Sequence, residues 1–260
     1  MRHLGPAAGL LLALATFPPL VSAQTATPAT VTPAIEPQAM AALNAMGAYL
    51  RTLKAFQVRA ATTTEDVLDD GEKVQYAAVT DLLAQAPNRL RVEVVSDHQQ
   101  RMYFYDGKSF TLFAQRVGYY ATVPAPPTTV ELVDRLDEKY GIEVPLVDLF
   151  RWGGPRASAA DIKSAADIGP SVVEGTTCEH YAFRQPGLDW QIWIQQGDYP
   201  LPRKLVLTTL TDEARPQHTA VYTWNATPSF NDAAFTFDPP SDAQKIVFTE
   251  ASATAGAVKK

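Results

Sequence analysis

Cysteine is almost missing from this sequence of 260 residues, which contains only Cys178. A single cysteine cannot form a disulfide within the chain, so cross-linking is excluded as a source of stability even in an oxidising compartment. The fold must therefore be stabilised by the packing of its side chains.

Basic residues are fewer than acidic residues. The sequence has 22 Lys and Arg residues against 28 Asp and Glu residues, which gives a net charge of −6 at neutral pH. Proteins that bind the phosphate backbone of nucleic acids do so with clusters of Lys and Arg. We therefore expect no nucleic acid partner.

Long apolar runs are missing too, and spanning a bilayer takes about 20 consecutive apolar residues. The longest apolar stretch follows Arg2, is interrupted by Pro18 and Pro19, and ends in the small-x-small pattern Val21–Ala23. This arrangement is typical of a cleavable signal peptide. We expect residues 1–23 to be removed on export, which leaves no transmembrane segment in the mature protein.

Sequence motifs of catalysis are absent as well. The chain has no Gly-x-Ser-x-Gly elbow, no His-Glu-x-x-His helix, no phosphate-binding glycine loop and no dinucleotide fingerprint. We therefore expect a protein that binds a ligand, without enzymatic activity and without a cofactor.

Cys178 and His180 form the one pair that could carry chemistry. They lie two residues apart on a predicted strand, so both side chains point to one face and could share a metal ion or form a thiolate pair. A zinc site needs a third ligand, and His98 and His218 lie far away in sequence. We favour a packed structural cysteine beside a partly buried histidine, with no metal, and keep a hydrolase built on this pair as a remote alternative.

The chain between the two ends is long enough for one sizeable domain. Residues 24–36 are rich in Thr, Ala and Pro without apolar periodicity, which predicts a disordered leader, and residues 251–260 predict a similar tail. We interpret residues 37–250 as a single β domain, although length alone also allows two smaller ones.

Two amphipathic helices are predicted within this domain. Apolar residues spaced by three and four indicate a helix at Met40–Leu53, with Pro37 in its first turn. The capping box Thr128-x-x-Glu131 precedes a second helix at Val130–Tyr140, in which Val130, Val133, Leu136 and Tyr140 form the apolar stripe and Gly141 ends the helix. The segment Pro145–Trp152 predicts a partial helix.

Most of the remaining chain alternates with a period of two and predicts about eleven antiparallel strands, separated by turn signals such as Asp69–Gly71 and Asp106–Lys108. The predicted strands are Phe56–Val67, Val74–Gln85, Leu90–Val95, Arg101–Tyr105, Ser109–Ala114, Tyr119–Val123, Ser171–Glu174, Thr177–Gln185, Leu188–Ile194, Lys204–Leu210 and His218–Asn225. Several strands carry bulky residues on both faces, so helices or a ligand must cover the second face.

Six motifs distributed over the domain resemble a known family. They are Ala86–Arg91, Tyr105–Phe110, Cys178–Phe183, Asp189–Ile194, Pro200–Lys204 and Phe235–Pro240. The sequence resembles an uncharacterised family of predicted periplasmic proteins, a domain of unknown function, related to the LolA, LolB and RseB lipoprotein-carrier fold.

This resemblance implies a periplasmic location and a curved antiparallel sheet, an incomplete barrel whose concave face is covered by helices and can hold acyl chains. One position departs from the lipoprotein carrier, which has an arginine latch immediately before the proline that corresponds to Pro87. This chain has Ala86 there, so the resemblance does not extend to a shuttle worked by that latch.

We therefore expect a carrier or sensor that binds an acyl chain, a lipid or a lipidated protein between the sheet and the helices. The alternative is an envelope protein–protein interaction module without lipid cargo. The candidate pocket residues are Met102, Phe104, Phe110, Tyr119, Leu136, Trp190, Ile192 and Trp193, and Arg89, Arg91 and Arg101 are candidates for contact with an anionic headgroup.

Overall fold

The computed structural model describes residues 34–154 and 159–250. The predicted signal peptide 1–23, most of the leader 24–36 and the tail 251–260 lie outside the described residues. The last residues of the predicted leader are described, and there Ile35 forms a parallel bridge with Ala165.

One sheet of twelve strands dominates the structure. Its strands are β1 (Ala55–Val67), β2 (Lys73–Gln85), β3 (Arg89–Ser96), β4 (Gln100–Tyr105), β5 (Ser109–Ala114), β6 (Tyr119–Pro124), β7 (Ser164–Val173), β8 (Thr176–Gln185), β9 (Leu188–Gln195), β10 (Pro202–Thr209), β11 (Gln217–Asn225) and β12 (Gln244–Lys245). The order across the sheet is β12-β6-β5-β4-β3-β2-β1-β11-β10-β9-β8-β7. Every neighbouring pair is antiparallel except β12 and β6. The prediction of an open, mainly β fold with few helices is confirmed.

Three helices accompany the sheet: α1 (Pro37–Thr52), α2 (Thr129–Tyr140) and α3 (Asp148–Arg151). The predicted partial helix at Pro145–Trp152 is thus only four residues long. Within residues 34–154 and 159–250, none of the helices is long and apolar enough to span a bilayer.

The ends of α2 are those predicted from its capping residues. The hydroxyl of Thr128 accepts a hydrogen bond from the backbone N–H of Glu131, and Gly141 ends the helix in the left-handed conformation with φ of 62°. The predicted apolar stripe is partly wrong, because Val130 is 47% exposed. The buried residues are Thr129, Leu132, Val133 and Leu136, whose spacing of three and four defines one helical face.

The hairpin turn between β4 and β5 shows why glycine is needed at one position. The side chain of Asp106 accepts hydrogen bonds from the backbone N–H groups of Lys108 and Ser109 at 2.8 and 2.7 Å. Gly107 has φ of 87°, and a Cβ atom there would lie 2.6 Å from the side chain of Asn88. The turn therefore packs against the neighbouring β2–β3 connection.

All eleven predicted strands are present, and the main differences lie at β7 and β12. β7 begins at Ser164, earlier than the predicted Ser171. The sequence did not reveal its first part, because a bulge between Asp167 and Gly169 interrupts the two-residue alternation. β12 is only two residues long, which is too short for a periodic pattern in the sequence.

The helices cover one face of the sheet, which we call the helix face. Residues of α1, α2 and α3 form a single buried cluster with inward residues of nearly all the strands. Among its members are Met46, Leu50, Leu132, Leu136 and Leu149 from the helices, and Val58, Leu82, Val92, Tyr105, Phe110, Phe183, Ile192 and Tyr222 from the sheet. We call the opposite side of the sheet the back face.

The chain after β11 covers part of the back face, and we call residues 232–250 the C-terminal strap. Phe237 packs among Phe104, Phe113 and Tyr120, with ring centroids 5.1–5.4 Å apart. The strap then adds β12 beside β6, and Phe248 packs on Phe110 of the helix face, with centroids 6.4 Å apart. The strap therefore connects the two faces and covers the edge of β6.

Replacing Phe237 with alanine should lower the free energy of unfolding by about 2–3 kcal/mol, because a half-buried ring loses three aromatic neighbours. Urea unfolding at constant m-value measures the change. The matched control is Val247→Ala on the same strap, at a side chain that is 87% exposed, and it should change the free energy by less than about 0.5 kcal/mol. Equal effects of the two substitutions would show that Phe237 does not anchor the strap.

Candidate ligand site

The space between the helices and the sheet contains four of the eight predicted pocket residues. Phe110, Leu136, Trp190 and Ile192 all belong to the buried cluster of the helix face, and none is more than 7% exposed. Their place beneath the helices agrees with the expected site, and binding of a ligand by them stays a prediction.

The other four predicted pocket residues do not line this space. Met102, Phe104 and Trp193 lie on the back face, because side chains alternate along a strand and their neighbours Tyr103, Tyr105, Ile192 and Ile194 point to the helix face. Tyr119 lies at the start of β6 beside β12 and is 41% exposed. Large residues occupy both the odd and the even positions of these strands, so the sequence alone could not show which residues point to the helices.

The three arginines proposed for headgroup contact are also divided. Arg91 lies over the ring of Phe104 on the back face and is 3.6 Å from the carboxylate of Glu93. Arg89 donates a hydrogen bond to the carbonyl oxygen of Asp106 on the same side. Arg101 is exposed and lies on the same side of β4 as Tyr103 and Tyr105, which belong to the helix face. The three guanidinium groups therefore do not form a single anion-binding patch.

Cys178 and His180 both lie on the back face, as their spacing predicted, but each has its own hydrogen-bond partner and neither bonds to the other. The His180 ring stacks on Trp193 with centroids 3.9 Å apart, and its Nε2 lies 3.0 Å from Oε1 of Gln191. The thiol of Cys178 donates to the carbonyl of Thr176, and burial raises its pKa. Over the described part of the chain, no three His, Cys, Asp or Glu side chains come together in a way that could hold a metal ion.

Polar groups inside the helix face were missed by the sequence analysis. Burial and the charge of Asp148 raise the pKa of the Tyr222 hydroxyl, and burial also raises the pKa of Asp148 itself. The indole N–H of Trp190 is buried and has no hydrogen-bond partner within residues 34–154 and 159–250. An unsatisfied buried donor is uncommon in proteins.

A cleft opens between α1 and the strands β7, β8 and β9, and we call it the α1 cleft. Its volume is about 320 Å³, at the lower end of the range of about 300–1,000 Å³ for small-molecule sites. The lining residues are Gln38, Ala42, Ala45, Asp167, Glu179, Tyr181, Ile194, Gln195, Gln196, Gly197 and Pro200. Helix α1 and the consecutive strands β7–β9 build it, and Gln38 and Asp167 on its two sides are 129 residues apart in the chain, so no local motif could have predicted the cleft.

A second, smaller groove of about 190 Å³ lies on the back face beside the C-terminal strap. Phe104 and Phe237 form its apolar part, and Asp106, Thr111 and Thr122 supply polar atoms. The groove is already filled in part by the strap, so the α1 cleft is the better candidate for a ligand that reaches the helix face.

His218 provides a test of the polar interior. Its Nδ1 lies 2.8 Å from the hydroxyl of Thr64, and burial lowers its pKa while the charge of Glu143 opposes the shift. In the unfolded chain, this histidine takes up a proton near the ordinary pKa of about 6.5, whereas in the folded protein it does so only at lower pH. The unfolded state therefore binds more protons as the pH drops below about 7, and the free energy of unfolding falls.

We expect His218→Gln to reduce this loss of stability between pH 7.5 and 5, measured as the free energy of urea unfolding at each pH. His98→Gln, at an exposed position, is the control and should keep the slope of the unchanged protein. An unchanged slope in His218→Gln would mean that this histidine is not held neutral by its surroundings.

Several solved structures of low identity are similar to this chain over most of its length. An uncharacterised conserved protein from Thermus thermophilus shares 13% identity, with a TM-score of 0.47, over 81% of this chain and 99% of that one. LprF from Mycobacterium bovis shares 12% identity with a TM-score of 0.43, over 82% and 100%. A LolA superfamily protein from Nitrosomonas europaea shares 12% identity with a TM-score of 0.33, over 76% and 97%. No curated protein sequence matches this chain.

A family model described as "Predicted periplasmic protein (DUF2092)" matches residues 39–249. The match extends from α1 through all twelve strands, and it confirms the resemblance seen in the six sequence motifs. The chain therefore belongs to the DUF2092 family of predicted periplasmic proteins.

Proposed function

We propose that this protein is a periplasmic carrier or sensor that holds an apolar chain, from a lipid or a lipidated protein, between the helix face of its sheet and the helices. The proposal rests on one observation above the others. Tyr181 and Ile194 line the α1 cleft and also belong to the buried cluster in which the helices pack on the sheet. No covalent chemistry is part of this function.

The way in which the helices are attached supports the proposal. Hydrogen bonds fasten them near their ends: the Gln38 side chain donates to Asp167, Arg51 donates to the carbonyl of Trp152, and Thr129 donates to the carbonyl of Pro87. Apolar contacts lie between these points. Such contacts are non-directional, so an acyl chain that separates helix and sheet can replace them without leaving polar groups unpaired.

The composition of α1 also suits a movable cover. Ala42 and Ala45 line the cleft with small side chains, and Met40 and Met46 contact the buried cluster with flexible ones. Methionine has three rotatable bonds and adapts to irregular apolar surfaces. A chain that enters at Ala42 can therefore extend below α1 by displacing side chains rather than backbone.

The alternative function, an envelope protein–protein interaction module, is favoured by a different surface. On the back face, Trp193 lies between the ring of His180, at 3.9 Å, and the ammonium group of Lys204, at 4.6 Å from the Trp193 centroid. Beside it, Ile168 at the bulge of the edge strand β7 is 56% exposed. Aromatic residues are enriched in protein interfaces, so Trp193 is the residue of this surface that favours a protein partner.

Native mass spectrometry of protein purified from periplasm without detergent tests the carrier function. We expect a co-purified amphiphile that is released by lipid extraction. Ala42→Trp should remove most of this adduct, because the indole fills the cleft, whereas Ala41→Trp should retain it, because Ala41 is exposed and outside the lining.

Repeated recovery of empty protein would contradict the carrier function. Detergent separates it from the alternative: a lipid cargo is competed away by detergent, whereas a protein partner bound through the back face stays attached in a pull-down.

A further inference from the structure

We infer that the α1 cleft binds the ammonium group of an amphiphile, with Asp167, Glu179 and Tyr181 as the recognising residues. The inference rests on the proposed function for the apolar part of this ligand, and it assigns the chemistry of the headgroup. Three features of the cleft support it: its charge, an unpartnered hydroxyl and the match of its acceptors to an amine.

Asp167 and Glu179 give the lining of the cleft a negative charge. Asp167 and Glu179 are both half-buried in the lining, and neither forms an ion pair within the described residues. Their polar partners are neutral: the amide of Gln38 donates to Asp167 at 3.0 Å, and the amide of Gln196 donates to Glu179 at 2.6 Å. The lining contains no Lys or Arg, so two carboxylates face a shared space without a cation.

A third carboxylate strengthens this charge. Oε2 of Glu36 accepts a hydrogen bond from the backbone N–H of Asp167 at 2.9 Å, which places Glu36 next to the cleft. The half-buried position of Asp167 and Glu179 limits screening by water and salt, so a bound cation gains more here than at an exposed acidic cluster. The same charge repels phosphate and carboxylate groups.

Tyr181 is an independent sign of a missing ligand group. Only 7% of this residue is exposed, it lines the cleft, and its hydroxyl makes no hydrogen bond within residues 34–154 and 159–250. Burial raises the pKa of Tyr181, and the charges of Asp167 and Glu179 raise it further, which agrees with a hydroxyl close to both carboxylates. Because Tyr181 lines the cleft, a donor bound there can form a hydrogen bond with this hydroxyl.

A primary ammonium matches these three groups. It has three N–H donors, and the two carboxylates and the tyrosine oxygen offer three acceptors. A metal ion suits the site less well, because the described part of the chain brings together no three ligating side chains.

The apolar part of the lining indicates that the amine carries a chain. Ala42, Ala45, Ile194 and Pro200 surround the polar groups, and Ile194 belongs to the buried cluster that continues below the helices. The cleft therefore combines a cation-binding end with an apolar exit toward the helix face, which is the arrangement that an alkylammonium requires.

Titration calorimetry with dodecylammonium, dodecanol and dodecanoate below their micelle concentrations tests the inference. All three share one chain length, so only the headgroup differs. We expect dodecylammonium to bind at least about tenfold more tightly than dodecanol, because charged hydrogen bonds contribute at this scale, and dodecanoate to bind more weakly than dodecanol.

The double variant Asp167→Asn, Glu179→Gln should reduce the ammonium preference to less than about threefold, and Tyr181→Phe should lower it in part. The matched control is Asp69→Asn, Glu72→Gln, which removes the same charge at the exposed tip of the β1–β2 hairpin and should keep the preference. If the double variant does not fold, the single replacement Glu179→Gln preserves shape and answers the same question.

The outcomes separate the two proposals. Equal binding of dodecylammonium and dodecanol, or a preference that survives in the double variant, overturns the ammonium site and leaves the carrier function standing. Binding of butylammonium that depends on Asp167 and Glu179, without any binding of dodecanol, supports the cation site and removes the carrier function. Absence of binding by all of these compounds overturns both.

Discussion

Large apolar side chains on both faces of a twelve-stranded sheet set the constraint on which this structure depends. A face left in contact with water would lose the free energy that drives folding, so each face needs its own cover. Three helices cover the helix face, and the C-terminal strap covers one half of the back face through Phe237. On the other half, Trp193 is shielded by the stacked ring of His180 and the ammonium group of Lys204.

Under the proposed function, the cover on the helix face is the one that a ligand exchanges. Its helices satisfy their own backbone hydrogen bonds, polar contacts fasten α1 and α2 near their ends, and Arg151 of α3 pairs with Asp137 of α2, while the contacts between helices and sheet are mostly apolar. A ligand chain offers contacts of the same kind. Within the described residues, the buried indole N–H of Trp190 has no hydrogen-bond partner, and the Tyr181 hydroxyl, whose residue lines the α1 cleft, makes no hydrogen bond.

Local signals in the sequence predicted the elements well, because turns and helix ends depend on a few adjacent residues. Asp106–Lys108 and the Thr128 capping box are examples, and both have the predicted geometry. Phe104 and Trp193 were assigned to the wrong face of the sheet. Their strands carry bulky residues on both faces, so the two-residue alternation does not show which face the helices cover. The α1 cleft could not be predicted, because it forms where α1 packs beside strands β7–β9, and Gln38 and Asp167 on its two sides are 129 residues apart in the chain.

The position of the apolar chain on the helix face is the central claim, and the four tryptophans of this sequence allow a direct measurement. Trp190 is on the helix face and Trp193 on the back face, three residues apart on β9. Two proteins are compared that each keep one of these residues, with the other tryptophans replaced by phenylalanine. A bromine-labelled acyl chain should quench the fluorescence of Trp190 and leave that of Trp193 unchanged. Quenching of Trp193 alone, or of neither residue at saturating chain, would contradict this placement.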